Sequence, residues 1–389
     1  MKILSIPKAF NFFMRAKKIY VSPSHAEVLI YDRVGSEAFL DYLKNKEVHI
    51  LESRGESVNL FVLIKAIVKY GLRVNLEKYQ AEYIKLISPK LIITFIDNTI
   101  TFYRLKKHYE EGFFISVQNG FRADLWKIFE EEIKEDELLR ADAIFCFSSA
   151  VGKIYSQYIS SKIYPHGSLL NNKYPVDRSN NSNSEILYIS QYRPPVISKG
   201  IPGMPIGDRH INWDDFYRTE SILLPRLSEL CELNGYTLNI CGNSFNQEQQ
   251  EEKYYKSLLG SNGWIYKEQT YSSSSYCKLD SSEIIAFIDS TLGFEALGRG
   301  NKAMVFSGRG KALKTSDRNF GWPGDLPNQG YFWTNDVNIS QVDRIFYNMI
   351  SSNDDIWQDL STDIIIPSVM GYDEGNSSLV QLIKKHTRD

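Results

Sequence analysis

Short apolar runs recur along this chain, each released into a polar turn and followed by a segment of helical periodicity. In the first half they are Ala26–Tyr31, Val48–Leu51, Leu91–Ile96, Phe113–Val117 and Ala143–Phe147. In the second half they are Ile186–Ile189, Tyr236–Cys241, Ile284–Ile288 and Ala303–Phe306. Most are apolar at nearly every position, and Ile284–Ile288 has no polar alternation at all, so they read as strands covered on both faces, which is the environment of a parallel sheet. Between them lie helix-like stretches, among them Glu37 to Asn45, Val58 to Tyr70, and one that opens at Asn75 as its N-cap and stops before Pro89. Strand and helix in strict alternation give parallel sheets with helices on both faces.

The rhythm breaks once. From 171 to 184 the residues are mostly Asn, Ser, Lys and Pro, and the periodicity is lost. With 389 residues to place, two domains are expected rather than one. The reading is a Rossmann-like domain over 1–170, a linker over 171–184, a second Rossmann-like domain over 185–375, and a terminal helix over 376–389. The segment Pro194 to Gly207, rich in Pro and Gly, is too long for a plain connection and reads as a lid or binding loop. A helix is expected from Asp215 to Leu233, broken or kinked near Pro225.

Composition removes several function classes. The formal net charge is −2, so bulk nucleic-acid binding is not expected. The four cysteines have no CxxC spacing, and Cys146 and Cys241 sit in apolar runs, as reduced core thiols do. No cluster has the spacing of a metal site, and none is expected. His166 and His210 lack a partner spacing and read as ordinary surface histidines. No run reaches transmembrane length, which suggests a cytoplasmic chain. The first twenty residues are basic and aromatic (Lys8, Phe10, Phe12, Phe13, Arg15, Lys17, Lys18). They would suit peripheral contact with an inner membrane surface as well as the plainer reading of a solvated segment.

Where would a ligand sit? Asp289-Ser290-Thr291-Leu292-Gly293-Phe294-Glu295 follows the run Ile284–Ile288 and opens a short helix before the next strand. A turn at the carboxyl end of a parallel strand is where open α/β sheets bind ligands. Free helix-start amides at Ser290, Thr291 and Gly293 would hold a phosphate there, and Glu295 would accept from ribose hydroxyls. The plain alternative is a tight strand-to-helix turn with Glu295 favouring the helix start. Two α/β domains facing across a cleft, with polar residues at the strand ends, form the GT-B architecture of nucleotide-sugar glycosyltransferases and their epimerase relatives.

Several stretches, in order, carry a closer likeness. They are Arg54-Gly55-Glu56-Ser57-Val58-Asn59-Leu60, Phe95-Ile96-Asp97-Asn98, Val117-Gln118-Asn119-Gly120-Phe121-Arg122, Gly167-Ser168 with Asn171-Asn172, and Tyr188-Ile189-Ser190-Gln191-Tyr192-Arg193. Trp213-Asp214-Asp215-Phe216-Tyr217 with Glu220 and Leu224-Pro225, Asn239-Ile240-Cys241-Gly242, and the Asp289–Leu297 stretch complete the series. Together they resemble bacterial surface-polysaccharide transferases of capsule and O-antigen synthesis, the retaining β-Kdo and pseudaminic-acid transferases.

The resemblance implies a CMP-activated ulosonate donor, a lipid-linked oligosaccharide or polysaccharide acceptor, no cofactor or metal, and retention through an aspartate–sugar adduct. On that footing Asp215, with Asp214 beside it, would be the nucleophile. Glu56, or else Asp97, would be the base for the incoming hydroxyl. Asn59, Asn98, Gln118, Asn119 and Arg122 would recognise substrate hydroxyls and carboxylate. Ser190, Gln191, Arg193, Gly242, Ser290, Thr291, Gly293 and Glu295 would hold CMP. The His-Pro element that several sialic-acid-type GT-B enzymes use for CMP is absent. A UDP-sugar transferase or UDP-GlcNAc 2-epimerase-like enzyme is the alternative, and a non-catalytic glycan-binding scaffold among other assembly enzymes is a third.

Overall fold

A computed structural model of the chain describes residues 15–121, 125–133, 137–180, 182–198, 200–206, 209–243, 248–270 and 274–387. It divides into two compact units. The first runs to Leu170 and takes in the segment from Gly375 onward, and the second is Asn171–Glu374.

The first unit holds strands β1 (Lys17–Ile19), β2 (Val28–Tyr31), β3 (Val48–Leu51), β4 (Ser57–Asn59), β5 (Leu91–Thr94), β6 (Phe113–Val117), β7 (Leu139–Cys146) and β8 (Ile159–Pro165). Six of them form a sheet in the order β3-β2-β5-β6-β7-β8, parallel throughout. The unbroken apolar runs have the expected cause: β2 and β5 are buried at every position. Two apolar clusters share the strand side chains, with Leu29 and Ile92 in one and Ile30 and Ile93 in the other. That is the face-by-face alternation of a pleated strand. Leu379 and Ile383 of the terminal helix Ser377–His386 belong to the second of these clusters. The 376–389 segment is therefore part of the first unit rather than a separate appendage. Buried Asn376 secures it, bonding Leu169 O, Tyr42 and His166. His166 is thus a core residue, not a surface one.

The second unit holds β9 (Ser182–Ile189), β10 (Val196–Ser198), β11 (Ile201–Ile206), β12 (Arg209–Asn212), β13 (Thr237–Cys241), β14 (Trp264–Lys267), β15 (Ser282–Phe287), β16 (Lys302–Phe306) and β17 (Trp333–Thr334). Its parallel sheet has the order β14-β13-β9-β15-β16-β17. Counted along the chain this is 3-2-1-4-5-6, so the strand order reverses direction between β9 and β15.

Three sequence expectations need correction here. The stretch read as a 171–184 linker is built into the second unit. Asn171 and Asn172 are fully buried, and Asn171 bonds the Arg299 guanidinium, so these amides are polar for an internal partner rather than for water. The Pro- and Gly-rich loop is the antiparallel meander β10-β11-β12, with Gly207 outside the described residues. The helix break falls at Tyr217, between helices Trp213–Phe216 and Arg218–Leu233, and the second of these runs through Pro225.

Candidate functional site

The reversal between β9 and β15 brings two chain ends side by side. Leaving β9 come Ser190 and Gln191, and leaving β15 come Ile288, Asp289 and Ser290. The Gln191 side-chain oxygen bridges them, accepting from the Asp289 amide at 3.3 Å and from Arg309 at 3.0 Å. Arg309 stands three residues past β16 and its side chain is 3 % exposed. It pairs with Asp289 at 2.6 Å and with Glu220, whose side chain is 1 % exposed, while its guanidinium lies 4.5 Å from the Phe216 ring centre. Arg318 approaches the second Asp289 oxygen at 3.5 Å. Two carboxylates and one guanidinium are thus held out of water beneath the crevice. The neighbouring acids keep Arg309 protonated, its value raised further, and burial pushes Glu220 above the ordinary carboxylate range despite Arg309.

Above this cluster begins the helix Thr291–Gly298. Ser290 is its cap residue, extended in backbone, and its hydroxyl makes no capping bond. The first-turn amides have no acceptor within the helix, and Ser290 and Thr291 are only half-buried. Small hydroxyls, open amides and the positive helix end make this edge suited to an oxyanion. Gly293 has a different task. A Cβ there would stand 2.2 Å from the Phe287 ring, so the glycine lets the helix rest on β15. Glu295 does not fit the expected ribose role. It is buried, and its carboxylate accepts from Tyr276 at 3.0 Å.

Ser190 is also committed internally. Its hydroxyl donates to buried Glu251 and accepts from the Tyr192 amide at 3.1 Å and from Tyr255 at 2.6 Å, which exhausts its capacity. Glu251 further accepts from the Asn243 amide at 3.0 Å and from Tyr266 at 2.9 Å. A Cβ at Gly242 would fall 2.4 Å from that Tyr266 hydroxyl, which explains the glycine by packing rather than by a phosphate. Arg193 has an exposed side chain, and its amide bonds the Tyr217 hydroxyl at 2.8 Å.

Asp214 and Asp215 lie in the first turn of Trp213–Phe216, both exposed. The cap is Asn212, which accepts from the Asp214 amide at 2.9 Å, so neither aspartate is needed as a cap. Asp215 borders a cavity of about 350 Å³ that Arg218, Lys311 and Lys314 also line.

The residues expected of the first unit divide in two. Asp97 is fully buried and accepts from Tyr155 at 2.6 Å, and burial together with that carboxylate holds the Tyr155 phenol far above its usual range. Gln118 is buried as a brace between β6 and β7, donating to Gly120 O at 3.1 Å and accepting from the Phe147 amide at 2.9 Å. Asn59 caps the helix Leu60–Tyr70, which therefore starts two residues later than its periodicity suggests. It also donates to Val21 O at 2.9 Å. All three are buried and carry hydrogen bonds within the unit. Asn98 and Asn119 are half-buried at the sheet edge. Glu56 is exposed, its carboxylate accepting from the Arg54 amide at 3.0 Å. Arg122 lies outside the described residues.

Arg309, Glu220 and Glu251 were assigned no role by sequence. Arg309 follows a strand end as Gln191 does, so the same rule reaches it. Glu251 sits in the run Glu248–Glu252, whose charge reads as a solvated helix face.

Residues 115–387 match a family described as "putative O-antigen biosynthesis protein". The chain belongs to that family. No curated protein matches this O-antigen family member in sequence. Among solved structures it is similar to a "putative UDP-N-acetylglucosamine 2-epimerase" from Listeria monocytogenes, at 12% identity over 93% of this chain and 97% of that one, TM-score 0.51. S. aureus MnaA with UDP gives 15% identity, 95% and 96% coverage and a TM-score of 0.49. Acinetobacter baumannii MurG gives 10%, 93%, 100% and 0.48. The Listeria likeness is one of fold. The O-antigen family member has two Rossmann-like parallel-sheet domains of the GT-B class.

Proposed function

We propose that this chain is a nucleotide-sugar-dependent glycosyltransferase of O-antigen assembly, with the donor's phosphate held where β9 and β15 diverge. The observation that carries the reading is the open edge formed by Ser290 and Thr291 at a helix start, directly beside the Gln191–Asp289 bridge. Family membership supports surface-glycan synthesis as the setting. The donor we favour is a CMP-activated ulosonate, Kdo or a nonulosonate, delivered to a lipid-linked or polysaccharide acceptor.

The chemistry would run in two displacements. CMP leaves with its phosphate electron pair, and the anomeric carbon is trapped by the Asp215 carboxylate. An acceptor hydroxyl then displaces Asp215 while a base takes its proton. Asp215 is supported by its exposure and by the neighbouring Arg218 and Lys314, whose charge suits a donor bearing carboxylate and phosphate, while Lys311 in the same cavity is paired with Asp336 at 2.8 Å. As the base, Glu56 is favoured over Asp97, since Asp97 is sealed against Tyr155. No metal is called for in this scheme. The second reading, a UDP-sugar enzyme, draws on the fold shared with the UDP-GlcNAc 2-epimerase-like structure.

Thermal-shift and calorimetric titration with CMP, UMP, UDP and GDP tests the site, on the natural chain and on Ser290→Glu. A ligand at 100 times its Kd adds about 2.7 kcal/mol to the folded state. A carboxylate at a helix start stabilises by about 0.3–1 kcal/mol. The variant should therefore stay folded while repelling a phosphate. We expect CMP to raise Tm in the natural chain and not in Ser290→Glu. A selective response to UDP would establish the second reading, and silence toward all four nucleotides would end the proposal.

A further inference from the structure

The helix Leu60–Tyr70 is apolar on both of its sides. It buries Val62 and Ala66 against the helix Leu76–Ile87. Phe61, Ile64 and Val68 form a stripe on the opposite side, at the i, i+3, i+7 spacing of one helical face, and Leu72 extends it past the helix end. All four are exposed, Val68 at 82% and Leu72 fully. Scattered surface apolar residues need no explanation, but a contiguous stripe does. Exposed Tyr20 and Val21, just past β1, add to it at the helix start, where Asn59, the helix cap, holds Val21 O.

Charge decides what this face meets. From Leu60 to Leu76 there is no acidic residue, while Lys65, Lys69 and Arg73 are present. The carboxylates on the packed helix are already paired, Glu82 with Lys69 and Lys85, and Glu77 with Lys107. Lys65 and Arg73 are left exposed beside the stripe. A second copy of the chain would bring the same positive charge to its partner. An anionic lipid surface complements both properties at once. Among the described residues no helix is long and apolar enough to cross a membrane, so the helix would lie along the headgroup plane.

We propose that the outward face of Leu60–Leu72, with Tyr20 and Val21, docks on a bilayer containing anionic lipid. This stands independently of the nucleotide assignment. The test is co-sedimentation of the full chain with phosphatidylglycerol-containing and with pure phosphatidylcholine vesicles. Binding is expected to the former only, weakening with salt, and falling at least about tenfold in Val68→Glu/Leu72→Glu with Tm unchanged. Lys65→Glu/Arg73→Glu should abolish the preference for anionic vesicles. Three results would overturn the proposal: equal binding by the Val68→Glu/Leu72→Glu chain, a dimer in light scattering that this variant dissociates, or binding lost on deleting residues 1–14 yet indifferent to the helix variants.

Discussion

Asp97 in the first unit and Asp289 in the second occupy matching places, each just past a strand that flanks a reversal of strand order. Their surroundings differ. In the first unit the Thr94 hydroxyl donates to Tyr31 O at 2.9 Å, tying β5 to β2 across the reversal, and Asp97 receives the neutral Tyr155 hydroxyl. That edge is filled by the protein's own groups. In the second unit Asp289 is held by a guanidinium that also serves Glu220, and the hydroxyls of Ser290 and Thr291 remain partly open above it. A strand order that creates a crevice does not by itself create a site. Which groups the local sequence leaves uncommitted decides that.

Removing the cation should give the largest effect. Arg309→Met leaves Glu220 and Asp289 buried without their shared partner, and the expected loss is about 3–5 kcal/mol, read by calorimetric unfolding. Adding Glu220→Gln should recover part of it by taking away one buried charge. The pH dependence has a definite sign. Burial raises Glu220 above its ordinary value of 4.5, so the native state keeps this proton at a pH where the unfolded chain has lost it. Such a group's contribution is full below that ordinary value and is lost as pH rises toward the folded one. The deficit of Arg309→Met should therefore be smaller at pH 5 than at pH 8. A deficit that grows on acidification would mean that Glu220 is not the group left stranded.

An intermediate effect is expected in the first unit. Asp97→Ala removes the acceptor of the buried Tyr155 hydroxyl, at a cost of about 1–3 kcal/mol. Asp97→Asn keeps an acceptor and should lose less than half as much. Transfer activity, measured per folded molecule, should survive in Asp97→Asn. Its loss with an unchanged Tm would break the contrast between the two edges, because it would make Asp97 the acceptor's base after all.

The inner strands were legible in sequence because burial on both faces leaves a mainly apolar run, as at Ile284–Ile288 and Leu91–Ile96, whereas the edge strands β8 and β14, with exposed positions along them, were not read. Turns at strand ends were legible too, and Gln191, Ser290 and Thr291 do stand at such turns. The reading could not tell uncommitted polar residues from committed ones. Ser190, Gln118 and Asn59 are the right residue types in the right places, yet each is engaged by at least one partner distant in sequence: Ser190 by Glu251 and Tyr255, more than 60 positions away, Gln118 by the Phe147 amide and Asn59 by Val21 O. The glycines misled for a similar reason. Gly242 and Gly293 look like phosphate-loop residues, whereas their missing Cβ atoms make room for Tyr266 and Phe287. Asn171 looked like linker because polarity alone does not reveal an internal guanidinium.

Asp215 offers the smallest change in stability and the sharpest test of the second unit's edge. Its carboxylate is exposed, and the capping task beside it is performed by Asn212. Asp215→Asn should therefore leave the unfolding midpoint within about 0.5 kcal/mol of the natural chain, as expected for a surface change. If the carboxylate traps the sugar, turnover should fall at least about ten-thousandfold, because the step that forms the adduct is removed entirely. Asp214→Asn should change it only a few-fold. Intact-mass measurement after mixing with donor alone should reveal one added sugar on the natural chain and on Asp214→Asn, and none on Asp215→Asn. An adduct that persists in Asp215→Asn would move the nucleophile elsewhere and leave the Arg218–Lys311–Lys314 cavity as a recognition element only.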